Sequence, residues 1–185
     1  MGFIIVITAI IVAVLLVFWF VGIYNGLITK RNRVKNSWSQ IDVQLKRRFD
    51  LIPNLVETVK GYAKHEASTF EAVIQARNQF GKASTVEDKI KADDAMSNAL
   101  SKLMVVVESY PELKASVNFE NLQKELSSTE EKISYARQFY NDTVTMFNNS
   151  IEVFPSSIVA NMFNFRQEPL FEVKEVERER VEVNF

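Results

Sequence analysis

The one histidine of the 185-residue chain, His65, stands beside Glu66. On a helix such a pair can begin a metalloprotease site, which needs a second histidine four residues on and a third ligand. Position 69 is Thr69, and the chain has no other histidine to complete the set. The pair therefore reads as partly exposed polar neighbours on a helix face opposite Val59 and Ala63. Serine hydrolysis lacks a G-x-S-x-G elbow and a spare base. Gly61 and Gly81 stand singly and make no phosphate loop. Asp93-Asp94 and Glu130-Glu131 offer paired carboxylates, yet each pair falls on the polar face of a helical pattern, where solvation accounts for it. The chain contains no cysteine, which excludes disulfides, thiolate ligands and a cysteine nucleophile together. The residues imply no enzyme, no cofactor and no metal.

The basic residues carry a different chemistry, that of surface recognition. Lys30, Arg31, Arg33 and Lys35 lie close together, and Lys46-Arg47-Arg48 follow them. Lys and Arg near an anionic membrane surface are attracted by about 1 kcal/mol each. That attraction fades over a Debye length of about 8 Å, so the first four can feel it and the triplet only if its helix lies down. A local reading competes for the triplet. Asp42 precedes Lys46 by four and Asp50 follows Arg47 by three, both helix-neighbour spacings. Nucleic acid is a poor fit, because the net charge is −1 and the aromatic residues fall on apolar stripes rather than between the cations.

The elements that must position these groups are helical. From Phe3 to Ile23 there is no charged side chain, a run of roughly 21 residues or about 31 Å of helix, enough to cross a bilayer core. It has no basic start and no small-residue cleavage site, so it reads as an uncleaved anchor rather than a signal peptide. The basic flank that follows predicts the N-terminus outside and the main domain in the cytoplasm. Trp19 and Tyr24 suit the boundary. Gly22 and Gly26 form a G-x-x-x-G pair, and Ala9 and Ala13 repeat the spacing, a pattern that lets anchors pack closely in lipid.

Beyond the anchor, Trp38, Ile41, Leu45, Phe49 and Ile52 recur at helical spacing. Pro53 interrupts them, and "RRFDLIPNL" predicts a break there, with Asp50 as cap of a new helix running to about Gln79. Gly81 ends that helix. Ser84 and Glu87 form a capping-box pattern for the next, which carries Ala92, Met96, Ala99, Leu103, Val106 and Tyr110 inward and stops at Pro111. "YPELKA" turns the chain. From Phe119 through Leu122, Leu126, Thr129, Ile133, Ala136, Tyr140, Thr143, Phe147 and Ile151 to Phe154, apolar positions alternate three and four, a bundle seam. Ser156 starts a short helix through Asn161, and Pro169 closes the regular region. The tail "FEVKEVERERVEVNF" reads as solvated and disordered.

The wording of these blocks, taken in order, resembles the LemA family. "YNGLITKRNRVKNSWSQIDVQLKRRFDLIPNLVETVKGYAKHE" is similar to its opening, and "YPELKA", "ISYARQFYN" and "FPSSIVANMFNF" to its later blocks. The resemblance covers residues 24–171 and leaves the tail outside. It implies a bacterial inner-membrane protein with one N-terminal anchor and an elongated helical bundle, without established enzymatic activity, cofactor or catalytic residue. Some relatives take part in organising membrane compartments.

The expectation is thus an all-α chain: a transmembrane helix over residues 1–26, continuing into an elongated antiparallel cytoplasmic bundle over residues 27–167 with one long heptad-like helix, and a charged tail over residues 168–185. Its role is that of a membrane-anchored scaffold or adaptor, with anionic-lipid organisation as the alternative. The contact candidates are Lys30, Arg31, Arg33, Lys35, Lys46, Arg47, Arg48, Tyr110 and Pro111. Ala9, Ala13, Gly22 and Gly26 are the candidates for anchor self-association. The expected partners are lipid, an unidentified membrane or cytoplasmic protein, and a second copy of the chain.

Overall fold

The computed structural model describes residues 1–171. The described residues form the helices α1 (Gly2–Lys60), α2 (Ala67–Lys82), α3 (Val86–Glu108), α4 (Pro111–Lys114), α5 (Val117–Glu152) and α6 (Ser156–Met162). Among them there is no strand. The charged tail beyond Phe171 lies outside the described residues.

The apolar run of α1 behaves as its composition requires. Every side chain from Phe3 to Trp19 is exposed to the surroundings, and the helix is long and apolar enough to cross a membrane. Further along, α1 turns amphipathic. Ile41, Leu45, Ile52, Leu55 and Val59 are all buried, each such side chain contributing about 1.5–3 kcal/mol when fully removed from water.

One expectation is overturned here. Pro53 lies inside α1, and the helix continues through it to Lys60. A proline in this position removes the bond that its own N–H would give to the carbonyl four residues back. That carbonyl belongs to Phe49, and Arg77 of α2 supplies the missing donor, its Nε–H pointing at Phe49 O over 3.4 Å. The same guanidinium lies 4.0 Å above the centre of the Phe49 ring. The chain turns instead at residues 61–66, where the apolar period lapses after the fully buried Ala63. His65 and Glu66 thus occupy a turn rather than a helix face.

The next start is displaced by one residue from the expected capping box. Thr85 is the N-cap of α3, and its side-chain oxygen accepts from Asp88 N–H at 3.1 Å. Pro111 opens α4, where its missing N–H costs nothing.

The chain divides into two compact units. One comprises Ser39–Gln138; the other joins Met1–Trp38 to the chain from Phe139 onward. In the first, Ile52, Leu55 and Val59 of α1 pack with Phe70 and Val73 of α2, Met96, Leu100 and Leu103 of α3, Leu113 of α4, and Phe119 and Leu126 of α5. In the second, the core is aromatic. Trp38, Tyr140 and Phe171 meet pairwise with ring centres 5.7–6.0 Å apart.

Residues 168–171, placed with the tail by the sequence, are held to α5. Asn148 donates to Glu168 O and accepts from Glu168 N, and Asn141 does the same for Phe171. The two asparagines are seven apart and so share one helix face. The expected seam on α5 is otherwise observed, apart from Phe154, which follows the end of the helix and is exposed.

Candidate functional site

The Lys46-Arg47-Arg48 triplet does not form one exposed patch. Lys46 is exposed. Arg47 reaches across to α5, its Nη2 donating to Glu125 Oε1 at 2.9 Å, with both side chains about half exposed. Arg48 is 2 % exposed. Its Nη1 donates to Glu130 Oε1 at 2.7 Å and to Ser97 Oγ at 3.1 Å. Its Nη2 donates to the carboxylate of Asp93, and to Asp93 O at 3.3 Å. The local pairing expected within α1 is also absent for Asp42, whose partner is Lys89 of α3.

Asp93 is fully buried, not solvated as its polar-face reading suggests. Its second carboxylate oxygen accepts from Arg137 Nη2 of α5. Three helices of one unit therefore meet through two guanidinium groups and two carboxylates, and the four charges cancel. A buried carboxylate between two guanidiniums has its lone pairs filled by charge-assisted hydrogen bonds. Such a cluster orients helices against each other; it has no unpaired base to take a proton from a substrate.

Next to it, α3 and α5 border a groove of about 530 Å³. Leu100, Met104 and Leu126 line its apolar part, and Ser97, Ser101, Gln123, Ser127 and Glu130 its polar part. The carboxylate of Glu130 at its edge is engaged by Arg48. Among the described residues there is no group of three or more His, Asp or Glu side chains placed to hold a metal.

The remaining candidates are dispersed. Lys30 Nζ donates to Ser150 Oγ, Arg31 lies 5.1 Å over the Phe165 ring, and Arg33 lies 6.0 Å over that of Phe139. Lys35 is exposed. The first three of this basic set thus help to dock the part of α1 before Ser39 within its unit. Tyr110 packs against the core of the Ser39–Gln138 unit, and Pro111 beside it is exposed. At Gly22 and Gly26 an added Cβ would meet nothing within 4 Å, and Ala9 and Ala13 are exposed.

A family model described as the LemA family matches residues 37–185. Protein LemA of Metamycoplasma hominis is 30% identical over 172 residues, which covers 90% of this chain and 77% of that relative. The chain belongs to the LemA family. Two further relatives are Magnetosome protein MamQ 2 of Paramagnetospirillum magneticum, 25% identical over 177 residues, and Magnetosome protein MamQ of Magnetospirillum gryphiswaldense, 24% identical over the same length. Each match covers 82% of this chain and 65% of the MamQ protein, so the chain spans just under two thirds of those relatives. The LemA match includes the tail, which the resemblance by wording leaves out. With the apolar helix, this membership makes the chain a membrane-anchored protein of helical fold.

Asp93 and Arg137 are the central residues of the cluster that sequence reasoning places wrongly or misses: it assigns Asp93, like Glu130, to a solvated helix face, and it does not single out Arg137 or Ser97. Register is the signal that finds the first two. Asp93, Met96, Leu100, Leu103 and Val107 are spaced three, four, three and four, and all are buried. Arg137 stands in the same rhythm between the buried Ile133 and Tyr140.

Proposed function

We propose that this LemA-family protein is a non-enzymatic, membrane-anchored scaffold or adaptor, with its N-terminus outside and its helical units in the cytoplasm of a bacterial cell. The observation that carries the reading is the continuity of α1. One helix, Gly2–Lys60, bears both the apolar span and the stripe Ile41–Val59 on which other helices pack. Whatever binds the helical surface is thereby tied to the membrane. The orientation is supported by Lys30, Arg31, Arg33 and Lys35 just beyond the span, because such residues are retained on the cytoplasmic side. The titratable groups support a non-catalytic role, since those that converge neutralise each other around Asp93.

The exposed Lys35 and Lys46 favour a second reading, the gathering of anionic lipid by the start of the cytoplasmic region. The test is crosslinking of the full-length protein in native membranes, from a photoreactive residue at position 46 or 111, followed by mass spectrometry. A reproducible protein partner supports the adaptor. Adducts with anionic lipid alone support the second reading. Protease added outside intact cells checks the orientation, and digestion of the helical units would refute it.

A further inference from the structure

The segment from Val153 to Phe165 contains no charged residue; Glu152 and Arg166 bracket it. It includes α6, and it meets the end of the span. The ring of Phe163 lies 4.6 Å from that of Tyr24 and 6.1 Å from that of Phe20, centre to centre. Phe20 and Tyr24 are one helical turn apart where the strongly apolar run gives way to Asn25 and Gly26, ahead of the first charged side chain at Lys30, so Phe163 sits at the depth where the apolar span ends.

The corner is held there by backbone geometry. Asn164 adopts the left-handed conformation, with φ 54°, and Phe165 N–H donates to Ala160 O at 2.9 Å. This is the helix-ending closure that Asn tolerates better than most residues with a side chain. It folds Phe165 back towards Tyr24 and Phe147, with ring centres 6.1 and 6.3 Å away. Val159 and Ala160 are buried, while the outer side of the corner is apolar and open. Phe154 is 79%, Met162 65% and Ile158 55% exposed.

We propose that this corner is a second membrane contact, lying in the interfacial layer of the bilayer beside the protein's own span, with Phe154, Ile158 and Met162 inserted among the acyl chains. The occupant of the patch is lipid because of depth. At the level of Phe20 and Tyr24 the surroundings are already headgroups and the upper acyl region, where aromatic rings are favoured. Interfacial apolar faces bury about 5–10 Å into that boundary, and α6 is far too short to cross the bilayer. Arg31, close over Phe165, and Arg166 can keep their charged ends at the headgroups while their stems lie along apolar surface. The inference rests on reading the N-terminal helix as a span, and its test separates the two.

The chain has no cysteine, so single labels can be placed in the full-length protein. Ile158→Cys and, independently, Phe154→Cys would carry an environment-sensitive fluorophore in phosphatidylcholine vesicles, with Val12→Cys in the span and Asn78→Cys on the exposed face of α2 as references. The expected result is a blue shift at positions 158 and 154 and loss of roughly half the emission to lipids spin-labelled high on the acyl chain, as for a group about 5–10 Å deep. Position 78 stays unquenched. Quenching at position 12 but at neither 154 nor 158 overturns the second contact and leaves the anchor standing. A blue shift at 158 that grows with protein-to-lipid ratio without lipid quenching assigns the patch to a second copy and also overturns it. Absence of quenching at position 12 as well refutes the span together with the corner.

Discussion

Replacing Asp93 with Ala should be the most damaging single change in the Ser39–Gln138 unit. Asp93 is the buried acceptor for both Arg48 and Arg137. Without it, two guanidinium groups face one carboxylate, that of the partly exposed Glu130. The cluster changes from neutral to a net charge of +1, with Arg48 still sealed from water. Removing one partner of a buried pair costs about 3–5 kcal/mol, and at about 2–4 °C per kcal/mol for a chain of this size, the midpoint should fall by about 6–20 °C. The assay is thermal melting of the full-length protein in detergent micelles, followed by far-ultraviolet circular dichroism at neutral pH. Raising the salt should change little, because a buried pair is poorly screened. Glu131→Ala, on the exposed face next to Glu130, should stay within about 0.5 kcal/mol of the parent. The decisive comparison is Arg48→Met/Asp93→Leu/Arg137→Leu, which removes both cations along with the carboxylate. Apolar replacement of a buried ionic cluster is often neutral or stabilising by about 1–4 kcal/mol, so this variant should recover most of the loss. If Asp93→Ala melts within about 2 °C of the parent, corresponding to no more than about 1 kcal/mol, the buried-charge argument is wrong. A triple variant no more stable than Asp93→Ala would refute the same reasoning from the other side.

Arg77→Met should leave the Phe49 carbonyl without a donor and cost about 1 kcal/mol, the lower end of the range for an unmet acceptor. In a Pro53→Ala background the backbone N–H at position 53 takes that carbonyl, and the same substitution should then cost less; equal losses in chemical-denaturation curves would refute the link. Tyr140 donates to Pro169 O at 2.9 Å, and burial, then the charge of Glu168, pushes its phenol from 10.0 up to about 12. Because the folded value lies above the unfolded one, this stabilisation is present below pH 10 and fades as pH rises through about 12. Tyr140→Phe should flatten the fall of melting temperature over that window, and an unchanged profile would remove Tyr140 as its source. Gly22→Ile with Gly26→Ile should weaken self-association of the anchor if close packing occurs there, read as a loss of dimer on crosslinking in membranes; an unchanged yield rejects that face.

The parts of the fold that were legible in the sequence are those carried by repetition. The charge-free run, the three-four rhythm of α5 and the cap-and-proline boundaries near Thr85 and Pro111 each repeat or reinforce a local signal. Pro53 reads as a break because its compensation is not local. The donor that replaces its N–H is Arg77, which belongs to another helix, and no window around "FDLIPN" contains it. The residues 168–171 were misassigned for a related reason. Their order depends on Asn141 and Asn148, polar residues of α5 whose two amide edges match an extended backbone only once the chain returns to them.

Residue type alone does not reveal the charged cluster; register does. Arg48 belongs to a basic triplet by composition, but by spacing it belongs to Ile41, Leu45, Arg48, Ile52, Leu55 and Val59, all of them buried. Asp93 and Arg137 occupy equivalent places in α3 and α5. A charge that keeps the apolar step of a packed helix cannot turn to solvent without breaking the step, so it must find an opposite charge on a facing helix. Three such charges on three helices predict one another. Phe154 is the converse case. It keeps the rhythm of the α5 seam after Phe147 and Ile151, yet the helix ends at Glu152 and register no longer determines which way a side chain points. An apolar residue released from its seam needs another apolar surrounding, which the proposed second contact with the bilayer interface would provide.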